Sequence, residues 1–199
     1  MSNNGSVNAP ICKLDRRIEV RTATGLDDMA AVMAIRAAVF LGEEDCDFAV
    51  EFDGKDAEAT HIIAFRDGEP AGAMRIRWFG QFARFERLAI RKRHRSLALA
   101  NALIRHAMKV SRRRGYDHAT GLARQGTESL WCRRGCYVAG PPIATCDGLL
   151  MPIMIPLSEI ERDEAPGLEI EKFGSTGFEA ALAHASGRWP QSSTEAAHA

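Results

Sequence analysis

Phe85-Glu-Arg-Leu-Ala-Ile90, Arg91-Lys-Arg-His94 and Arg95-Ser-Leu-Ala-Leu-Ala100 run on without a break. They pass from an extended apolar stretch through a basic loop into a helical pattern. The strand is expected over residues 82–90. The helix carries Leu99, Leu103, Ala107 and Val110 on one face and ends at Arg112-Arg-Arg-Gly115. Gly115 is a suitable C-cap, and the arginines before it complement the negative end of the helix dipole.

Upstream, His61-Ile-Ile-Ala-Phe65 reads as a short strand and residues 71–79 as a second, joined through the Asp-Gly of Arg66-Asp-Gly-Glu-Pro70. That is the signature of an antiparallel hairpin. Earlier still, Ile18-Glu-Val-Arg-Thr22 is an expected first strand. Thr24 then caps a helix with Asp27 and Asp28 in its first turn. Its apolar positions, Leu26, Met29, Val32, Met33, Val39 and Phe40, keep close to a 3.6-residue period, so it should end near Phe40. Downstream, residues 118–123 form a further strand and 128–134 a short helix closed by Gly135. A late strand over 149–157 is interrupted by Pro152, which points to an edge or a bulge. A hairpin followed by strand–loop–helix units predicts one α/β (α+β) domain, a mixed, mostly antiparallel central sheet flanked by helices. Residues 1–16 are expected to be a flexible arm, 17–157 the domain, and 158–199 a partly disordered extension with one helix over 178–185, open to roles as a dimer arm or a lid.

The composition excludes several classes. The 199 residues, 46% hydrophobic and 26% charged, suit one globular domain with tails. No run of about 18 apolar residues is present to span a bilayer. The opening Met1-Ser-Asn-Asn-Gly-Ser lacks a basic-then-apolar secretory pattern, so a cytoplasmic location is expected. Five cysteines without a CxxC pair suggest reduced thiols rather than a disulfide framework or zinc ribbon. No metal is implied, since neither His61 nor His94 has a second histidine at ligand spacing.

A net charge of zero hides a segregation. Residues 1–60 carry twelve acids and six bases, residues 84–134 three acids and fourteen bases, and residues 158–199 eight acids and three bases. Of the 26 bases, 21 are arginine, the side chain suited to bidentate phosphate or carboxylate contacts. The basic centre therefore calls for an anion, either a phosphorylated ligand or nucleic acid. Nucleic acid ranks lower, because the bases fall between a strand and a helix and no aromatic stacking platform accompanies them.

The order strand, helix, hairpin, strand, basic loop, helix, strand, short helix, strand over residues 17–157 resembles the GNAT acyltransferase superfamily. Three stretches carry the likeness: residues 86–100 as the strand, phosphate loop and helix; His61-Ile-Ile-Ala-Phe-Arg-Asp-Gly-Glu-Pro-Ala-Gly72 as the central hairpin; and Leu130-Trp-Cys-Arg-Arg-Gly135 as the short helix near the thiol end of the cofactor. The stretch Ile35-Arg-Ala-Ala-Val-Phe40, the acidic run after it and Phe85-Glu-Arg-Leu-Ala-Ile90 also look like the acyl-homoserine-lactone synthase and N-acyl amino acid synthase branches. The resemblance implies acyl-CoA or acetyl-CoA as donor, with acyl-carrier protein as an alternative. It implies an amine of a small molecule or protein as acceptor, and admits a homodimer. Its cofactor-binding positions fall on Leu88, Ile90, Arg95, Ser96, Leu97, Ala98, Leu99, Ala100 and Trp131, where helix-start N–H groups would face a diphosphate.

Three positions depart from the pattern. Ser96 and Ala98 stand where the loop usually has glycines, and Trp131 stands where a tyrosine often protonates the departing thiolate. Glu86 has two readings, an ion-pair partner of Arg84 or Arg87 or a general base. A backbone N–H near Leu88 is the expected oxyanion donor. Asp45, Asp47, Asp53 and Asp56 are either an acidic surface loop or an attractor for an amine, and Cys132 and Cys136 are expected to be packing residues.

Overall fold

The computed structural model of the chain describes residues 17–127, 131–132, 135–145 and 148–157. The expected arm, the C-terminal extension and most of the short helix over 128–134 lie outside them. The elements follow the order β1 (Ile18–Thr22), α1 (Gly25–Arg36), a π turn (Ala37–Leu41), α2 (Phe48–Glu51), β2 (Thr60–Arg66), β3 (Glu69–Trp78), β4 (Ala83–Ile90), a 3-10 turn (Lys92–His94), α3 (Leu97–Arg113), β5 (His118–Arg124), β6 (Tyr137–Val138), β7 (Ile143–Thr145) and β8 (Gly148–Pro156).

The strands form one sheet in the order β1-β2-β3-β4-β5-β8-β6, with β7 also on β8. Every pairing is antiparallel except β4 with β5. The Asp67-Gly68 turn closes the β2–β3 hairpin with both residues at positive φ, 54° and 81°. That geometry matches the strand twist and is why Asp-Gly is favoured there. β8 is a correction to the edge expectation for Pro152. It pairs with β5 on one side and with β6 and β7 on the other. Pro152 falls between the stretches taken by β6 and β7, and its carbonyl accepts from Ala139 on that side. Its missing N–H therefore removes no ladder bond from the β5 pairing.

Alternation along the strands sends side chains into two cores. On the α3 face, Ile62, Met74, Ile76 and Phe85 meet Leu99, Leu103 and Ile104, all nearly inaccessible. On the α1 face, Ile63, Ala73 and Ala89 meet Val32, Ile35 and Val39. The inward stripe of α1 thus runs Val32, Ile35, Arg36, Val39, with a fully buried arginine inside it, while Leu26 is 83% exposed. Thr24 does cap α1 in position, but its hydroxyl does not bond. Asp28 instead accepts from the Thr24 N–H at 2.9 Å and from Arg21 at 2.6 Å.

The π turn ends at Gly42, whose N–H bonds back to the Ala37 carbonyl at 3.1 Å. A β-carbon on Gly42 would lie 2.8 Å from the backbone oxygen of Ala38, a contact only a backbone shift can relieve. Gly42→Ala is expected to cost about 1–3 kcal/mol and to lower Tm by roughly 3–10 °C. Calorimetry checks this, and an unchanged Tm would show the turn to be slack.

Candidate functional site

β4 runs beside β5 for three residues only, Ala83 with Ala119, Arg84 with Thr120 and Phe85 with Gly121. Beyond them the strands part. On the other side of β4 the register with β3 slips at the same place: Glu86 pairs with Arg75 and Ala89 with Ala73, so Arg87 and Leu88 together oppose Met74. Arg87 takes φ 53°, a left-handed conformation uncommon for a side-chain-bearing residue. A bulge of this kind bends its strand and increases its twist. The unpaired ends of β4 and β5 leave a cleft between them, and residues 91–96 lead from the β4 side of it into α3.

The extra residue also changes which way the side chains face. Without it, Arg87 would alternate onto the apolar α3 face with Phe85; with it, Glu86 and Arg87 both lie on the α1 face. There Arg87 forms an ion pair with Glu51 at 2.9 Å and donates to the Val50 carbonyl at 2.5 Å. Glu51, fully buried, is shared with Arg36 at 2.5 Å. Arg36 reaches on to Asp56 at 2.5 Å. Arg75 grips both oxygens of Asp53 at 2.8 Å, touches Asp56 at 3.0 Å and holds Glu86 at 2.7 Å. Arg84 takes the second oxygen of Glu86 at 2.9 Å. One continuous network of guanidiniums and carboxylates thus joins α1, α2, residues 53–56, β3 and the bulge of β4.

Burial and charge compete inside this network. Burial raises the Asp53 carboxyl, but the hydrogen bonds and charge of Arg75 outweigh it and hold it well below its ordinary range. Asp56 is lowered in the same way, burial being overcome by Arg36 and Arg75. For Glu51 burial wins over Arg36 and Arg87, and its affinity for a proton rises. Burial depresses His61, whose Nε2 lies 3.1 Å from the Asp56 carbonyl. Burial likewise lowers Arg84 against the opposing charge of Glu86.

Each predicted site residue can now be placed. Glu86 is an ion-pair partner of Arg84, as one of its two readings had it, and of Arg75. The pair with Arg87 does not form, because Arg87 turns to Glu51. Asp53 and Asp56 are not a surface loop; they are bound to buried arginines. Leu88 and Ile90 are half-buried on β4 and pack against the α3-side core. Ser96 is the N-cap of α3, its Oγ accepting from the Leu99 N–H at 3.2 Å and from Arg66 at 2.6 Å. Leu97 and Ala98 are exposed in the first turn, whereas Leu99 and Ala100 face inward. None of residues 91–98 has positive φ, so the loop forms without the glycines that Ser96 and Ala98 replace. Arg95 donates to the Ile90 carbonyl at 3.1 Å and pairs with Glu43 at 2.7 Å. Trp131 is 7% exposed and belongs to the α3-side core. Sequence reasoning missed Arg36, Glu51 and Arg75. The one available signal was Arg36 within the apolar stripe of α1.

These residues fit a diphosphate-bearing ligand on two counts. The first-turn N–H groups of a 17-residue helix, α3, are available at Leu97 and Ala98, and the basic residues 91–95 lead directly into it, Arg91 and Arg93 paired with Glu69 and Arg95 with Glu43. Among the described residues, no cluster of three His, Cys, Asp or Glu could hold a metal ion, and no helix is long and apolar enough to cross a membrane.

Acid should weaken the fold with a definite sign. His61, His94 and His106 are all depressed, so the unfolded chain takes up protons near pH 6.5 that the native state refuses. Their contribution is complete above about pH 6.5 and is lost as pH falls through their lower folded values. Asp53 and Asp56 add a loss of the same sign below about pH 4, whereas Glu51, being raised, opposes it. Tm is expected to fall between pH 7 and 5, and His61→Gln should flatten that slope. Equal slopes in thermal melts would refute the assignment to His61.

Comparison with known proteins agrees with this geometry. The family model described as "Acetyltransferase (GNAT) family" matches residues 29–133. BSU40680 of Bacillus subtilis (strain 168) is 29% identical over 101 residues, 49% of this chain and 69% of its own. Two solved structures share the fold. The AHL synthase LasI superposes with a TM-score of 0.61 at 17% identity, over 79% of this chain and 100% of its own. FeeM, an N-acyl amino acid synthase from uncultured soil microbes, superposes with a TM-score of 0.62 at 11% identity, over 73% of this chain and 93% of its own. With the family model covering more than half of the sequence and the forked β4–β5 sheet beneath it, the chain belongs to the acetyltransferase (GNAT) family.

Proposed function

We propose that this protein transfers an acyl group from acyl-CoA or acetyl-CoA to an amine. The observation that carries the reading is the fork. A bulged β4 parts from β5 beside an arginine-rich loop and an accessible helix N-terminus, so an elongated donor has both a slot and an anion site. A bound donor supplies an acyl carbonyl activated as a thioester, with a thiolate as its leaving group.

The protein's own groups have three tasks. The N–H groups of Leu97 and Ala98, with Arg95, bind the diphosphate at the α3 N-terminus, where the helix dipole adds attraction. Leu88, which has no register partner on β5, offers its backbone N–H to the carbonyl oxygen. Glu86, two residues earlier on the α1 face, receives through water the proton that the amine sheds. Ile90 lines the slot beside Leu88, and Ser96, Leu99 and Ala100 fix the start of α3, with Trp131 as core support. Trp131 offers no acid to the thiolate, and a thiolate of coenzyme A leaves adequately without one. The acceptor is an amine of a small molecule or a protein. FeeM, which shares the fold, is an N-acyl amino acid synthase, and this favours the small molecule; acyl-carrier protein is the alternative donor.

A second reading has specific support. Both Glu86 oxygens are engaged by arginines and Trp131 replaces an acid, which suits a GNAT-fold module that binds an acyl ligand without turning it over. Glu86→Gln separates the two. An enzyme should lose its rate of thiol release while keeping its donor affinity, both measured below the lowered Tm that loss of the Arg84 pairing brings; a binding module has no rate to lose.

Arg95→Ala should weaken donor binding by about 1.5–3 kcal/mol, the loss of one charge-assisted contact. Ala98→Gly should leave binding unchanged or improve it, because a β-carbon near the phosphates is gone. If Ala98 only starts a helix, the change costs up to about 1 kcal/mol of stability and affects no ligand. Calorimetric titration with coenzyme A decides, and unchanged affinity in Arg95→Ala would remove the loop from the site.

A further inference from the structure

Two consecutive acids follow the π turn and reach opposite lips of the cleft. Glu43 pairs with Arg95, on the loop that continues β4, at 2.7 Å. Glu44 pairs with Arg124, at the end of β5. β4 and β5 have already parted when they reach these residues, so the two ion pairs span the gap. The segment carrying them is sharply bent. The N–H groups of Glu43 and Glu44 both bond the Val39 carbonyl at 3.1 Å, Cys46 bonds the Phe40 carbonyl at 2.9 Å, and Asp45 takes φ 53°.

We propose that Glu43 and Glu44 form an ionic strap across the cleft mouth, and that Glu43 competes with the donor's diphosphate for Arg95. This rests on the donor reading above. The Arg95 guanidinium is held at Nε by the Ile90 carbonyl, so its Nη2, the nitrogen given to Glu43, is the end free to exchange partners. The Arg95 side chain is 46% exposed and that of Glu43 25%, so solvent screens their attraction. A diphosphate carries more charge and more acceptor oxygens than one carboxylate and adds contacts to the N–H groups of α3, so it prevails at Arg95. Glu44 keeps its hold on Arg124, and the strap then stays tethered at one end. The donor pays for entry with one ion pair, and Glu43 sets the affinity at which it enters.

Calorimetry with coenzyme A, on the whole 199-residue chain, tests this. Glu43→Gln should tighten binding about two- to fivefold, the measure of one partly exposed ion pair. The gain should vanish when Arg95→Ala is already present. Glu44→Gln, an equal change of charge one residue away, should tighten binding less than Glu43→Gln. Hydrogen exchange supplies an independent reading: coenzyme A should speed exchange at the amides of Glu43, Glu44 and Cys46 in the unmodified protein. Equal affinities of the unmodified protein and Glu43→Gln overturn the strap alone. So does a gain that persists in the Arg95→Ala background, since it would mark a diffuse charge effect. If coenzyme A binds neither the unmodified protein nor Glu43→Gln, the donor reading falls, and the strap with it.

Discussion

Everything at the cleft depends on a buried ionic network, and above all on Glu51 shared between Arg36 and Arg87. Burying an ion without a partner is prohibitively unfavourable, and leaving one member of a buried pair uncompensated costs about 3–5 kcal/mol. Arg36 and Glu51 have no exposed side-chain surface. They are tolerated because Arg36 reaches Glu51, the Glu51 carbonyl and Asp56, while the second Glu51 oxygen meets Arg87. The network therefore acts less as a source of stability than as a constraint. It admits one arrangement of α1, α2 and β4, because any other strands a charge.

The strained residue of the bulge is Arg87, and it is also the residue that the network holds. A left-handed arginine in a strand persists only if its surroundings over-determine it. Two contacts to α2 and a place above the Phe40 ring do so. Through this one residue the helical layer dictates where β4 bends, and the bend decides where β4 leaves β5. The cleft between β4 and β5 is thus shaped by ion pairs on the α1 face of the sheet.

The Glu43 and Glu44 ion pairs and the basic loop at 91–95 extend the same logic to the surface. Arginine predominates among the bases, and it works here in three environments: buried on carboxylates at positions 36 and 75, buried on uncharged oxygens at 66, where it ties Ser96 and the His94 carbonyl, and exposed at 95. One residue type serves all three because its fork of donors satisfies several acceptors at once and its charge survives burial. Position, rather than charge count, separates the structural arginines from those free to meet a ligand.

Local order was written in the sequence. The Asp67-Gly68 hairpin, the helix beginning after Ser96, Gly115 at positive φ just past the Arg114 C-cap of α3, the boundaries of the six expected strands to within one or two residues and the strand–loop–helix unit at 85–100 all follow from turn chemistry, capping and periodicity, which act between near neighbours. The placement of Ser96, Leu97 and Ala98 at an accessible helix start was legible for the same reason. What tertiary structure alone decided was every pairing across distance. Asp53 and Asp56 looked like a solvated acidic run until Arg36 and Arg75, some twenty residues away, were brought onto them. Glu86 and Arg87, neighbours of opposite charge, looked like a pair until a bulge turned both to one face and gave each a different partner. Pro152 suggested an edge, yet it lies within the sheet because β6 and β7 leave a gap opposite it. A one-residue slip of register has no local signature, since it is settled by which buried charges can be satisfied together. For that reason the sequence determined the elements of this protein and its family, and the folded packing determined its cleft.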